Sequence, residues 1–246
     1  MMDEELMKKL KYIRLNALAA NWDHYLDMAR RGNFSHARLL KHIIEEEYEI
    51  KKENSRKMKL SRAKIPEKLV METFPFDKQP KLNKKKLLNL YDSFGYMLNH
   101  QNMVWIGPTG VGKTGIATAF LIHAINRGYN GRFITFPELV ELLYQSIGDH
   151  SEAKVIKTLA SYDCLLIDEL GYVEVESAQV AHFFTLMHKR HKKKTTLITS
   201  NLGFGQWGSF LKNPHLTAAL IDRLTENSHV INMKECVSLR PKPNVM

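Results

Sequence analysis

Cysteine is nearly absent from this chain. Among 246 residues only Cys164 and Cys236 occur, and Cys164 falls within an apolar run typical of a buried strand. Two thiols placed in this way favour neither a disulfide framework nor a cysteine-ligated metal cluster.

Long apolar segments are also missing. No apolar run approaches the roughly 20 residues needed to span a bilayer, and the N-terminal Met-Met-Asp-Glu-Glu lacks the basic and apolar regions of a signal peptide. The sequence contains no internal repeat and no low-complexity tract. We therefore expect a cytoplasmic protein without a membrane partner.

Acidic residues are too few to balance the basic ones. The chain has 36 Lys and Arg against 26 Asp and Glu, a formal net charge of +10. A surplus of this size indicates an anionic partner, and nucleic acid is the first candidate because no lipid anchor is present.

Residues 102–114 form an apolar run that leads into a glycine-rich loop, and the loop fits the phosphate-binding pattern GxxxxGK[ST]. Its glycines allow successive backbone N–H groups to point inward at a helix N-terminus, where phosphate oxygens bind. The Lys113 ammonium would reach the β- and γ-phosphates of ATP, and the Thr114 hydroxyl would hold Mg²⁺. The predicted ATP-contacting residues are Gly107, Thr109, Gly110, Val111, Gly112, Lys113 and Thr114.

Two carboxylates follow a second apolar run, Cys164 to Ile167. At the end of a strand in a phosphate-loop fold, Asp168 would hold Mg²⁺ and Glu169 would polarise the attacking water. Two acids could also begin an ordinary loop, and it is their combination with the glycine-rich loop that favours a nucleotide site.

Two further residues are candidates for the same site. Asn201 follows the apolar run Thr196 to Thr199, where its amide could lie near the γ-phosphate or simply form a turn. Arg223 lies in a helix-like segment, where it could form a surface salt bridge or stabilise the transition-state charge at a neighbouring subunit's ATP.

The first 65 residues have helical periodicity. Apolar side chains between residues 3 and 30 favour one face of a helix, and Ser35 can cap a second helix. This second helix continues into residues 51–64, which carry seven Lys and Arg against one acid. The run is either a solvated helix face or a stripe that contacts DNA phosphates through Lys51, Lys52, Arg56, Lys57 and Arg62. A second basic run, 188–194, either caps a helix C-terminus or contacts DNA through Lys189 and Arg190.

Beyond three interrupting prolines, short apolar strands alternate with helices. This alternation predicts an α/β domain with a parallel sheet covered on both faces. We place the boundary between a helical domain, 1–65, and this domain, 66–246. Phe74 and Phe76 are expected to pin the intervening segment to the second core. The predicted strands are Met103 to Ile106, Arg132 to Phe136, Cys164 to Ile167, Thr196 to Thr199 and His229 to Met233.

The chain resembles the IstB family, the AAA+ helper ATPases of insertion-sequence transposition and relatives of the DnaC helicase loaders. The resemblance runs from the N-terminal helices to near residue 240. It rests on four segments: GPTGVGKT at 107–114, LLIDELGY at 165–172, TSNLGFGQW at 199–207 and LTAALIDRL at 216–224.

The resemblance implies a role for each matching residue. Lys113 and Thr114 match the Walker A pair, and Asp168 and Glu169 match the Walker B pair. Asn201 matches the sensor I position, and Arg223 matches the arginine finger. The resemblance also implies a sheet of order 5-1-4-3-2, no C-terminal lid, and an N-terminal helical domain that assists assembly on DNA.

Two segments depart from the family pattern. Gly115 stands where the family usually has His, which costs about 1 kcal/mol in helix propensity. Near the end, Cys236-Val-Ser-Leu-Arg240 replaces Gly-Glu-Ser-Tyr-Arg and leaves the role of Arg240 open.

These observations predict an ATP- and Mg²⁺-dependent ATPase that oligomerises on duplex DNA with low sequence specificity, remodels it and stimulates a partner transposase. ATP would lie at the interfaces of the homo-oligomer. The alternatives are a helicase loader of the DnaC type, a small-molecule phosphoryl-transfer enzyme and a binding module that holds ATP without hydrolysing it.

Overall fold

The computed structural model describes residues 2–32, 35–172, 175 and 177–240. The chain forms two compact units that divide between Met58 and Lys59. Within the described residues, no helix combines the length and the apolar character needed to cross a membrane.

Helices make up the described part of the first unit: α1 (Glu4–Tyr12), α2 (Asn16–Ala20), α3 (Trp22–Arg31) and α4 (His36–Arg62), which continues past the division. Where the periodicity favours a single helix over 3–30, the structure has three helices. The first ends before Arg14, which adopts a φ of 61°. The buried Glu47 carboxylate then accepts the Ala17 and Leu18 N–H groups at 2.9 and 3.1 Å. This long-range cap satisfies two backbone N–H groups in the first turn of α2. The periodicity of the local sequence could not predict it.

The start of α4 is confirmed. Ser35 Oγ accepts the Arg38 N–H at 3.3 Å, as the capping pattern predicts. The helix extends to Arg62 and therefore includes most of the basic run.

A five-stranded parallel sheet forms the centre of the second unit, in the order β2-β3-β4-β1-β5. This is the predicted order read from the other edge. The strands are β1 (Asn102–Ile106), β2 (Gly131–Thr135), β3 (Cys164–Leu170), β4 (Thr195–Ser200) and β5 (Ser228–Asn232).

Helices cover both faces of this sheet, and β1 contributes to the core on each side. Met103 and Trp105 point into one apolar cluster, whereas Val104 and Ile106 point into the other. This alternation follows from the two-residue period of a strand. The helices are α5 (Lys84–Ser93), α6 (Gly95–Leu98), α7 (Lys113–Asn126), α8 (Phe136–Gly148), α9 (Glu152–Ser161), α10 (Ser177–Arg190), α11 (Phe204–Phe210) and α12 (Pro214–Thr225). Between β5 and Arg240 the described chain has no helix, so no C-terminal lid is evident.

The segment before α5 joins the second core through its aromatic side chains. Phe74 and Phe76 pack on this core with ring centroids 4.8 Å apart, as predicted. Ala63 is fully buried in the same core, and its carbonyl accepts the Phe133 N–H of β2 at 2.8 Å. The structural division between the units therefore precedes residue 65.

Candidate nucleotide site

The glycine-rich loop connects β1 to α7 and takes its shape from left-handed backbone. Gly110 and Gly112 have φ values of 83° and 95°, a region that other residues adopt only with strain. At Gly107 the constraint is different, since a Cβ there would lie 2.7 Å from the Met233 carbonyl oxygen after β5. The loop is therefore held by the end of the sheet as well as by its own turn geometry.

Lys113 opens α7, and its side chain returns over the loop. Its Nζ donates to the Gly107 and Pro108 carbonyl oxygens, each at 2.8 Å. Burial lowers the pKa of this ammonium, although the charges of Asp168 and Glu169 oppose the shift. An ammonium held by two neutral carbonyl acceptors gains electrostatic energy when it exchanges them for negatively charged phosphate oxygens.

The Thr114 hydroxyl faces the Asp168 carboxylate across the loop. Thr114 Oγ1 donates to Asp168 Oδ1 and Oδ2 at 3.0 and 3.1 Å. Asp168 is 3% exposed, and burial raises the pKa of its carboxyl, opposed by hydrogen bonds from Thr199 and Thr114. A hydroxyl and a carboxylate in this arrangement supply the hard oxygen donors that Mg²⁺ requires, so these residues fit the ion.

Glu169 lies at an irregular point of β3. Between the pairs Ile167–Ile198 and Leu170–Ser200, β3 has two residues where β4 has only Thr199. This bulge places Glu169 in left-handed backbone, with a φ of 61°, at a cost on the order of 1 kcal/mol. The Glu169 side chain is exposed and lines the cavity beside the loop.

A cavity of about 790 Å³ lies between the loop, the strand ends and residues 66–75, a volume typical of small-molecule sites. Lys113, Thr114, Glu169 and Asn201 all line it. Asn201 Oδ1 is buried and has no hydrogen-bond partner among the described residues. The amide therefore has an unused acceptor at the cavity wall, where a bound water or ligand could satisfy it.

Gln79 and the C-terminal segment, residues 233–240, lie against the loop. The Gln79 amide donates to the Val111 and Val237 carbonyl oxygens at 3.1 and 2.6 Å and accepts the Val237 N–H at 3.0 Å. The Leu239 N–H donates to the Gly110 carbonyl at 2.8 Å, and Arg240 lines the cavity. Although residues 236–240 depart from the family pattern, Arg240 still places a cation at this site.

Gly115 is the other residue that departs from the family pattern, and packing explains why it has no side chain. A Cβ there would lie 2.8 Å from Leu69 Cδ1, so the missing side chain leaves room for Leu69 of the cavity wall.

Arg223 does not line this cavity. Its guanidinium donates to the Ala219 carbonyl at 2.9 Å and lies 4.8 Å from the centroid of the Phe184 ring. The structure thus brings Lys113, Thr114, Asp168, Glu169 and Asn201 together and leaves Arg223 apart from them.

Arg190, a predicted DNA contact, is a structural residue, and this prediction is wrong. The side chain is 1% exposed, and its guanidinium donates to Thr196 Oγ1 and to the carbonyls of Leu159, Tyr162 and Thr195. Burial lowers its pKa to about 10. Arg190 joins the end of α10 to α9 and β4, whereas its neighbour Lys189 is exposed.

Acidic neighbours accompany most of the predicted basic stripe on α4. Lys51 pairs with Glu47 at 3.6 Å and Lys52 with Glu49 at 3.3 Å. Arg56 and Lys57 share Glu53, at 2.6 and 3.8 Å, and no acidic partner of Arg62 is described. The single acid within the basic run, together with acids just before it, therefore offsets much of the local charge.

Sequence reasoning missed two residues that shape the site, Thr199 and Gln79. The Thr that ends the predicted strand, two residues before Asn201, was a signal for the first. Gln79 had no comparable signal, because a Gln between two prolines resembles any linker residue.

The sequence matches the family described as IstB-like ATP binding protein over residues 8–244. Similar proteins include the insertion sequence IS5376 putative ATP-binding protein of Geobacillus stearothermophilus, 28% identical over 98% of this chain and 96% of the relative. The insertion sequence IS232 putative ATP-binding protein of Bacillus thuringiensis subsp. berliner is 26% identical over 94% and 92%.

Solved structures support the same fold. DnaI superposes with a TM-score of 0.58 at 18% identity, covering 68% of this chain and 91% of DnaI. The DnaC helicase loader gives 0.52 at 21% identity, covering 61% and 87%. With the phosphate loop, the paired carboxylates and the match along nearly the whole chain, these findings lead to one assignment: the chain belongs to the IstB-like ATP-binding proteins and is an ATPase of the AAA+ class.

Proposed function

We propose that this ATPase assembles on duplex DNA in its ATP-bound form, remodels the DNA and stimulates a partner transposase. The position of Arg223 carries the proposal. The cavity contains Lys113 and Glu169, but Arg223 lies outside it against Phe184. An arginine that stabilises transition-state charge must reach the phosphates, so here it would come from a neighbouring subunit.

Within each subunit the other residues divide the chemistry. The loop N–H groups and Lys113 bind the phosphates, and Thr114 and Asp168 would hold Mg²⁺, which neutralises charge on the phosphates when bound. Glu169 accepts a proton from the attacking water, and the Asn201 amide orients the groups around it.

Mixing two inactive variants tests the shared site. Lys113→Ala cannot bind ATP and Arg223→Ala cannot complete its neighbour's site, so each alone should lose turnover. Where the two variants co-assemble at random in an equal mixture, about one interface in four pairs an intact Lys113 with an intact Arg223, and turnover should return to at most roughly that fraction of the wild-type rate. If the mixture stays inactive while wild type mixed with Lys113→Ala stays active, Arg223 does not act across an interface.

DNA binding is tested with the hydrolysis-deficient variant. Glu169→Gln should retain a large ATP-bound assembly on duplex DNA, whereas Lys113→Ala should form none, as measured by size-resolved mass. If wild type, Glu169→Gln and Lys113→Ala all stay monomeric and do not bind DNA, the proposal is overturned. Addition of a candidate transposase, with strand transfer as the readout, then tests stimulation.

The insertion-sequence names of the relatives favour a transposase over a replicative helicase as the partner. The helicase-loader alternative would be supported if the protein bound a replicative helicase and not the transposase. Family membership leaves the small-molecule phosphoryl-transfer alternative without support.

A further inference from the structure

One buried hydroxyl on β4 contacts both carboxylate residues of β3. Thr199 Oγ1 accepts the Glu169 N–H at 3.0 Å and donates to Asp168 Oδ1. Thr199 is 1% exposed, so both bonds are shielded from bulk water. A hydroxyl donates only one hydrogen bond, and here Asp168 Oδ1 accepts it.

The bulge explains why a side chain is needed at this point. Thr199 stands alone opposite Asp168 and Glu169, and its side chain bonds the Glu169 amide. Glu169 also has a φ of 61°, a conformation that persists in a non-glycine residue only where the surroundings fix it. The Thr199 hydroxyl is one of the contacts that fix it.

We propose that Thr199 is a positioning residue for ATP hydrolysis. Its Oγ1 atom bonds both the Asp168 side chain and the Glu169 backbone. It therefore fixes the position of the Glu169 carboxylate, which acts on water, relative to the Asp168 carboxylate, which would hold Mg²⁺. The inference rests on the roles proposed above for Asp168 and Glu169. Because ATP itself is gripped by the loop and Lys113, loss of the hydroxyl should affect turnover and spare nucleotide affinity.

Substitutions at Thr199 separate the hydroxyl from the side-chain volume. Thr199→Val keeps the shape and removes both hydrogen bonds, whereas Thr199→Ser keeps the hydroxyl. Thr195→Val is a matched control on the same strand, since Thr195 is fully buried and its Oγ1 donates to the Tyr96 carbonyl at 2.9 Å, away from the site.

Steady-state kinetics is the first measurement. We expect Thr199→Val to lower kcat at least about tenfold with KM for ATP within about threefold of wild type, because small displacements of reacting groups cost large factors in rate. Thr199→Ser should stay within about threefold in both parameters, and so should Thr195→Val. Glu169→Gln serves as the reference for loss of the acting carboxylate.

Amide hydrogen exchange of the nucleotide-free protein is the second measurement. The peptide that covers residues 164–170 should exchange faster in Thr199→Val and at the wild-type rate in Thr199→Ser. Faster exchange in Thr195→Val should be confined to its own end of the strand.

Several outcomes would overturn the inference. Thr199→Val with wild-type kcat, or equal losses of kcat in Thr199→Val and Thr195→Val, would remove any special role for this hydroxyl. If Thr199→Val does not fold, Thr199→Cys takes its place, since a thiol bonds weakly at similar volume, and equal turnover of the Cys and Ser variants would refute the proposal. A fully active Glu169→Gln would instead refute the proposed role of Glu169, and this inference with it.

Discussion

Individual charged residues in the second unit are buried for different reasons. Arg190 is surrounded by carbonyl acceptors that hold three elements together. Asp168 is buried against two hydroxyls at the nucleotide site. Burial is costly to the charged form of both residues. The acceptors of Arg190 connect elements of the fold, whereas Asp168 lies where a ligand is expected.

Asp168→Asn should therefore raise the stability of the nucleotide-free protein at neutral pH while it abolishes turnover. Burial raises the pKa of Asp168, so its ionised form lowers the free energy of unfolding, and the penalty disappears as pH falls through that raised pKa. The gain should appear as a higher Tm, since each 1 kcal/mol of stability corresponds to roughly 2–4 °C in a domain of about 150–250 residues. Thermal unfolding at several pH values measures the difference between variant and wild type, which should shrink towards acid.

Glu169→Gln is the matched control for this change, because it also converts an acid to an amide but at an exposed side chain. Its Tm should stay within about 1 °C of wild type. A lower Tm for Asp168→Asn at pH 8 would contradict the prediction.

At the scale of elements, α4 contains the clearest test of DNA contact. Glu53 pairs with both Arg56 and Lys57, so Glu53→Gln removes the one negative charge within the basic run. We expect duplex DNA affinity at fixed salt to rise about two- to fivefold, the size of an exposed ion-pair effect. Fluorescence anisotropy across a salt series would measure it.

Glu45→Gln makes the same charge change on the same helix, where Glu45 pairs with Lys41 outside the basic stripe. Equal gains in both variants would indicate a general effect of net charge. No gain in either would show that α4 does not contact DNA.

Elements whose cause is local could be predicted from the sequence. The five strands follow from apolar runs and the Ser35 cap from one residue type, whereas the order of the strands follows from the family resemblance. The breaks in the first helical stretch could not be predicted, because the Glu47 carboxylate that caps α2 lies 30 residues from Ala17. Arg190 was misassigned for a similar reason, since its acceptors come from distant carbonyls that a basic run does not reveal.

The candidate site divides in the same way. The loop and the Asp168–Glu169 pair can be recognised in the sequence because their functional residues are consecutive or nearly so. The bulge at Glu169 depends on the neighbouring strand β4. The hydrogen bonds from Gln79 to Val111 and Val237, which we call the Gln79 clamp, depend on segments distant in sequence. The roles of these residues in turnover stay predictions until the variants are measured.

At the scale of the whole ATPase unit, Gln79 joins the segment before α5, the phosphate loop and the chain beyond β5. Gln79→Leu should weaken ATP binding about tenfold, because two carbonyls and an N–H lose their partner and the loop loses its support. Titration with a fluorescent ATP analogue measures the dissociation constant.

Asn102→Leu is the control for loss of a buried amide. Asn102 bonds the Leu224 carbonyl and the Thr196 N–H at the opposite end of the sheet. Its substitution should lower Tm to a similar extent and leave the dissociation constant unchanged. Equal weakening of ATP binding in both variants would mean that general stability, and not the clamp, sets the affinity.

The scarcity of cysteine has a practical consequence. Cys164 is fully buried, with its thiol pKa raised to about 12, and Cys236 is 8% exposed, with its pKa also raised by burial. Thiolates react with maleimides and thiols do not, so both native sites should label slowly. A single cysteine introduced on the surface would accept a fluorophore selectively, and energy transfer between labelled subunits could then follow assembly in real time without prior removal of the native residues.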